Sequence, residues 1–296
     1  MSTNPHRQQA KYRSPTSERV NQIPPSGIRR FFDLLSSMKE VISLGVGEPD
    51  FVTPWHISEA GIYSLEKGYT MYTSNLGMPQ LRQELSRYLK KSYNLVYDPD
   101  KELLITVGVS EALDLATRAI INPGDEVIIP DPCFGAYNSC VILAGGKVIM
   151  VPTNQENNFE MSADDIEARV TDKTKAILFG YPANPTGAVM PREKLGQIAK
   201  VARRHHLLVI SDEIYAKLVY GVEHTCFATL PEMKEDTIFL GGFSKAYAMT
   251  GWRIGYAAAN REIIAAMTKI HQWLLSMGRY RMSLEAQSRR GRYHLA

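Results

Sequence analysis

Short runs of consecutive apolar residues recur along this chain, and longer segments with a helical stripe separate them. The runs at 103–107 (Leu-Leu-Ile-Thr-Val), 127–130, 147–151, 175–179, 207–210 and 237–240 are each four or five residues long. They are rich in Val, Ile, Leu and Phe and carry almost no polar alternation, as expected of strands buried on both faces. Between them, 80–91, 111–120, 162–170, 192–205 and 260–272 place apolar residues three and four apart, the spacing of amphipathic helices. Residues 29–40 add a further helix, with Ile28, Phe31, Phe32, Leu34, Leu35 and Met38 on one face and Pro25-Ser26 as its start signal. The segment 41–51 reads as a short strand ending in glycines. Strands alternating with helices imply an α/β class, a three-layer α/β/α domain around a mainly parallel sheet.

Composition changes this picture little. The chain has 296 residues, 44% hydrophobic and 22% charged, which is ordinary for a soluble globular protein large enough for two domains. A net charge of +3 is too mild to argue for nucleic acid, and no apolar run approaches the ~20 residues that span a membrane. Cys133, Cys140 and Cys226 show neither a metal-ligand spacing nor a disulfide framework, so a reducing cytoplasm is the expected compartment and no metal site is expected. His205 and His206 read as solvated or packed, not as ligands.

The chemistry concentrates after the last apolar run, where a Gly-Gly turn leads into Ser244-Lys-Ala-Tyr-Ala-Met-Thr-Gly-Trp-Arg-Ile-Gly-Tyr256. Most lysines are solvated surface charges. Lys245 has glycines that permit close backbone approach, and Phe243, Tyr247, Met249 and Trp252 are expected to surround its amine. Burial lowers a lysine pKa, and the neutral amine is a nucleophile toward a carbonyl carbon. Arg253, eight residues on, has the planar fork that suits a phosphate. Lysine for an aldehyde, with arginine and serine for a phosphate, points to pyridoxal phosphate.

Three other segments carry weaker signals. Gly108-Val109-Ser110 joins a strand to a helix, an arrangement whose free amides and dipole favour an anion, although many such turns bind nothing. Asp212 and Glu213 close the 207–210 strand, where carboxylates point into the ligand crevice of α/β sheets. Phe134 opens a helix after Asp131-Pro-Cys, and a core phenylalanine is the competing reading.

The 244–256 motif resembles the lysine segment of the class I/II aminotransferases, the fold-type I pyridoxal-phosphate enzymes. Tyr181-Pro-Ala-Asn-Pro-Thr-Gly187 and Ser211-Asp-Glu-Ile-Tyr215 extend the resemblance, which runs from about Ser17 to about Gln272. It implies that Lys245 holds the cofactor and moves the substrate α-proton. Asp212, favoured over Glu213, is implied to pair with the pyridinium nitrogen, with Tyr215 and Asn184 on the phenolic oxygen and Phe134 stacked on the ring. Val109, Ser110, Ser244 and Arg253 are implied to take the phosphate, with Tyr72 from a neighbouring subunit. Gly47 and Asn184 are implied to border the substrate.

The implied activity is amino-group transfer between an amino acid and a 2-oxo acid, in a homodimer with shared active sites. A C–S β-lyase of the same fold and a catalytically impaired cofactor-binding protein are the alternatives. The expected organisation is a disordered arm at 1–16 and part of a small domain at 17–53. A cofactor-binding large domain follows at 54–272, then an atypical arginine-rich tail at 273–296. In the family the small domain continues and supplies an arginine for the substrate α-carboxylate, so the sequence reads as truncated or frame-altered beyond Gln272, with the small domain incomplete.

Overall fold

The computed structural model describes residues 14–25 and 47–275. The expected helix at 29–40, the 41–46 part of the expected strand, nearly all of the arm and most of the tail lie outside those residues. The chain divides into two compact units, Met1–Gly45 and Val46–Ala296. Within the described part of the first is one helical turn, α1 (Glu18–Asn21), capped by the Ser17 hydroxyl, which accepts from the Val20 amide.

The second unit is built on seven strands: β1 (Leu103–Thr106), β2 (Glu126–Asp131), β3 (Lys147–Pro152), β4 (Thr174–Phe179), β5 (Leu208–Asp212), β6 (Thr237–Gly242) and β7 (Gly255–Ala258). They lie in the order β1-β7-β6-β5-β4-β2-β3. Every pair from β6 to β3 is parallel, and β7 runs antiparallel between β1 and β6. The α/β class and the mainly parallel sheet therefore hold. The six strands expected from residue 103 onward are all present and β7 is an addition, while the described part of the expected 41–51 strand, residues 47–51, is not a strand.

Helices α2 (Trp55–Glu66), α3 (Pro79–Tyr93), α4 (Gly108–Ile120), α5 (Ala136–Ala144), α6 (Ala163–Glu167), α7 (Arg192–Arg204) and α8 (Arg261–Leu275) complete the unit. Alternate strand residues face two cores. Leu104, Val127, Ile129, Leu178, Ile210 and Leu240 pack with α4, α5 and α8 on one side. On the other, Ile128, Ile177, Phe179 and Val209 pack with α7, while Leu103, Phe239 and Tyr256 pack with Leu85 and Leu89 of α3. Each fully covered Leu or Ile contributes roughly 1.5–3 kcal/mol, so the layered burial fixes the strand order. That order sets the C-terminal ends of the parallel strands side by side. The segments leaving β1, β2, β4, β5 and β6 there carry every strong candidate residue from the sequence.

Candidate active site

Asp212 is the last residue of β5 and is 6% exposed. Its Oδ2 accepts from the Tyr137 hydroxyl at 3.0 Å and its Oδ1 from the Ile214 amide at 3.2 Å, both neutral donors. Burial raises its pKa to about 6, with the neighbouring Glu213 charge adding to the rise. A carboxylate held this way has unmet demand for a proton or a cation.

Glu213, the competing carboxylate, is fully engaged elsewhere. It accepts from Ser211 Oγ at 2.8 Å and the Phe227 amide at 3.2 Å, and it pairs with His224 Nε2. Consecutive residues at a strand end face opposite ways, which separates the two acids.

Around Asp212 the expected residues assemble. Tyr137 meets Phe134 edge to face, with ring centroids 5.7 Å apart. Burial together with the Asp212 charge pushes the Tyr215 phenol upward, and the Asn184 side chain, from the loop after β4, opposes that rise. The Lys245 amine stands over the Tyr215 ring, 5.6 Å from its centroid, and donates to the Gly47 carbonyl. Phe134, Tyr137 and Asp212 thus form one run of contacts and Gly47, Lys245 and Tyr215 another, and the Asp212 charge acts on the Tyr215 phenol between them.

The lysine environment corrects one expectation. The amine is partly exposed, and its neighbours are Tyr215 and Gly47 rather than a shell of Phe243, Tyr247, Met249 and Trp252. Phe243 and Tyr247 pack on each other at 5.7 Å and, with Tyr88, Tyr93 and Tyr256, line a cavity of about 150 Å³ between α3 and β6. The Trp252 ring lies against Gly61 of α2, and its Nε1 donates to Thr53 Oγ1 at 3.1 Å. The expected direction of the pKa shift nevertheless holds. Partial burial lowers it, Arg253 lowers it further, and Glu48 opposes.

A second cluster forms where β7 meets the start of α4. Arg253 has a left-handed backbone (φ 56°) and its Nη1 donates to the Thr250 carbonyl at 2.9 Å. Gly108, also at positive φ (74°), leaves space for the guanidinium: a β-carbon there would stand 2.7 Å from Arg253 Nη2. Gly255 in turn abuts Gly108 and the Val109 amide, where a β-carbon would stand 2.5–2.6 Å away. Two glycines therefore let an arginine sit against the N-terminus of α4, whose free amides already carry positive partial charge. Like charge on like is unfavourable without an anion between them.

Ser110 lies exposed in the first turn of α4, and Ser244 is buried directly after β6. The first-turn acid, Glu111, turns back to the Val107 amide and to His271 Nδ1 at 3.1 Å. Tyr72 is 73% exposed in the 67–78 loop.

Sequence reasoning missed Tyr137 and Gly108. Tyr137 was visible only as part of a helix opening, and its spacing of three from Phe134 was the available signal. Gly108 was read as part of a turn; its proximity to Arg253 depends on β7, which the sequence did not announce.

Residues 39–283 match the family described as aminotransferase class I and II. A Bacillus subtilis protein named as the aminotransferase YugH is 57% identical over 259 residues, 88% of this chain and 67% of that protein. The aspartate aminotransferase of Pyrococcus abyssi is 46% identical over 258 residues, 87% of this chain and 66% of that protein. Among solved structures, the aspartate aminotransferase from Thermus thermophilus with maleate superposes with a TM-score of 0.84 at 37% identity, covering 88% of this chain and 69% of that one. The chain spans about two thirds of the length of these relatives.

Proposed function

The chain belongs to the class I and II aminotransferases, and from that premise we propose that it is a pyridoxal-phosphate-dependent enzyme moving an amino group between an amino acid and a 2-oxo acid. The observation that carries this reading is the buried Asp212, whose two donors are both neutral, at the end of β5 whose next turn carries Tyr215, the ring under the Lys245 amine. The cationic cradle of Arg253 and the α4 N-terminus favours it too, since it asks for an anion.

The residues fit the group. Arg253, Ser110, Ser244 and the Val109 amide would take the phosphate, Asp212 the ring nitrogen, Tyr215 and Asn184 the phenolic oxygen, and Phe134 the ring face. Bound there, the cofactor supplies an electron-withdrawing ring that stabilises negative charge at the substrate α-carbon.

The chain's own residues do the rest. Lys245 Nζ, whose pKa partial burial lowers, would hold the cofactor at its aldehyde carbon, and its free amine would take the substrate α-proton and return it. General base work of this kind contributes ~10²–10⁴-fold. Asp212 would pair with the ring nitrogen and favour its protonated form. Tyr215 and Asn184 orient the ring, and Gly47 borders the substrate.

A homodimer with a shared site is part of the proposal. The segment 51–78 exposes Phe51, Trp55, Tyr69, Met71, Tyr72 and Met78, and α2 has no buried residue in this chain. An apolar surface of that extent fits a second subunit, which Tyr72 would reach. Among the described residues no helix is long and apolar enough to cross a membrane. Three free cysteines suit the cytoplasm.

The test is covalent trapping. Pyridoxal phosphate followed by borohydride should label Lys245 alone, Lys245→Ala should take up no label, and the unaltered protein should transfer an amino group to 2-oxoglutarate. Label at another lysine, or none, sinks the proposal.

A further inference from the structure

Glu213 and His224 take no part in the roles proposed above, yet they are among the most deeply buried ionisable side chains near the site, 2% and 7% exposed. Glu213 Oε1 accepts from Ser211 Oγ and the Phe227 amide, and Oε2 pairs with His224 Nε2. One carboxylate thereby ties the end of β5 to the 224–227 segment. That segment is itself immobilised: Phe227 is 1% exposed, and its ring meets Phe179 of β4 at 5.3 Å.

The backbone of Glu213 is fixed as well. Its amide donates to the Leu240 carbonyl at 2.8 Å, and its carbonyl accepts from the Ala216 amide at 3.0 Å. Asp212 immediately precedes this anchor, and Tyr215 follows within the same turn.

We propose that the Glu213–His224 pair is a positioning device that locks the 212–216 turn, and so fixes Asp212 and Tyr215 against the cofactor ring. This rests on the functional reading above. A buried carboxylate is tolerated only while its oxygens are satisfied. Without His224, Oε2 loses its donor. The carboxylate then rotates or admits water, and the turn loosens with it.

The test uses the full chain, first without cofactor. In His224→Ala, hydrogen exchange at the Ile214 and Ala216 amides should quicken tenfold or more, while the β4 amides keep their rates. His224→Gln, which can still donate to Glu213, should stay within about threefold of the unaltered chain. With cofactor, His224→Ala should weaken pyridoxal phosphate at least tenfold. Ile120→Ala, a core truncation at the C-terminal end of α4, opposite the Gly108 end that meets Arg253, serves as a control for stability loss and should not weaken it.

Unchanged or uniformly raised exchange overturns the lock. Faster exchange with unaltered cofactor affinity reduces the pair to a structural staple and overturns its positioning role. Equal weakening in Ile120→Ala does the same. Failure of the unaltered chain to bind cofactor would overturn the functional reading instead, and the exchange rates would still decide the lock.

Discussion

The hydroxyl of Tyr137, from the first turn of α5, donates to Asp212 Oδ2 across 75 positions of sequence at 3.0 Å. It is a neutral donor to an acid that burial disfavours, so it steadies the ionised form without cancelling its charge. Tyr137→Phe should therefore raise the Asp212 pKa above its present value of about 6. The pH at which cofactor affinity begins to fall on acidification should shift upward by the same amount. Removal of one such bond is worth about 1–3 kcal/mol, and a titration of cofactor binding between pH 5 and 8 reads it.

Asp212 also taxes the stability of the cofactor-free protein. Its folded pKa is raised from 3.8 to about 6, so between those values the folded state binds more protons than the unfolded one. Stability from this group is full below pH 4 and is lost as pH rises through 6. Asp212→Asn should then stabilise the cofactor-free chain at pH 7 by up to about 3 kcal/mol, and the gain should vanish near pH 4. Melting curves at the two pH values test the sign. A variant less stable at pH 7 would contradict it.

Gly108→Ala should cost stability and anion affinity together. The left-handed backbone at φ 74° opposes any side chain by about 1–2 kcal/mol, and the new methyl would displace Arg253 Nη2. Inorganic phosphate should protect the unaltered chain against heat and protect this variant much less.

Arg253→Lys should behave as a loss rather than a conservative change, because a point charge cannot replace a planar fork against helix amides. Charge-assisted bonds contribute about 1.5–3 kcal/mol, so cofactor affinity should drop roughly 10- to 100-fold, as equilibrium dialysis would report.

Trp55→Lys should separate subunits without unfolding them. Trp55 is 68% exposed in this chain, so the folded protomer gives up little. Sedimentation should show a dimer for the unaltered protein and a smaller species for the variant.

Much of this was legible beforehand, for identifiable reasons. Strands such as Val127–Pro130 and Leu207–Ile210 announce themselves because both faces are buried, which leaves no polar alternation to confuse them. Asp212 stood out because it ends a strand at the ligand edge, and Lys245 because it follows a strand and its Gly-Gly turn there. Strand β7 was not, because Gly-Tyr-Ala-Ala has no β-branched residue. Its small residues answer to packing on α4, where Gly255 has no room for a side chain. Helix α2 was missed since none of its residues is buried in this chain, so its apolar positions form no inward stripe. The resemblance favoured Asp212 over Glu213, and the coordinates add the physical reason, since Glu213 is already held by Ser211, His224 and the Phe227 amide. Composition cannot tell which of two adjacent acids already has its donors.

The expected apolar shell around Lys245 failed for a related reason. Proximity in sequence placed Phe243 and Tyr247 beside the amine, but a short turn with left-handed Ala248 and Arg253 redirects the chain after each.

The antiparallel β7 has a consequence for anyone moving this chemistry to another scaffold. Because it is wedged between β1 and β6, one hairpin delivers both the amine and the guanidinium, and its return arm also abuts the helix that meets the guanidinium. A two-residue slip of that hairpin would carry the amine and the guanidinium about 7 Å along the sheet while the acid on β5 stayed put. Lysine and arginine are thus spaced by strand pairing, like marks on a ruler, and a graft must bring the whole 237–258 hairpin with β1 or lose the calibration.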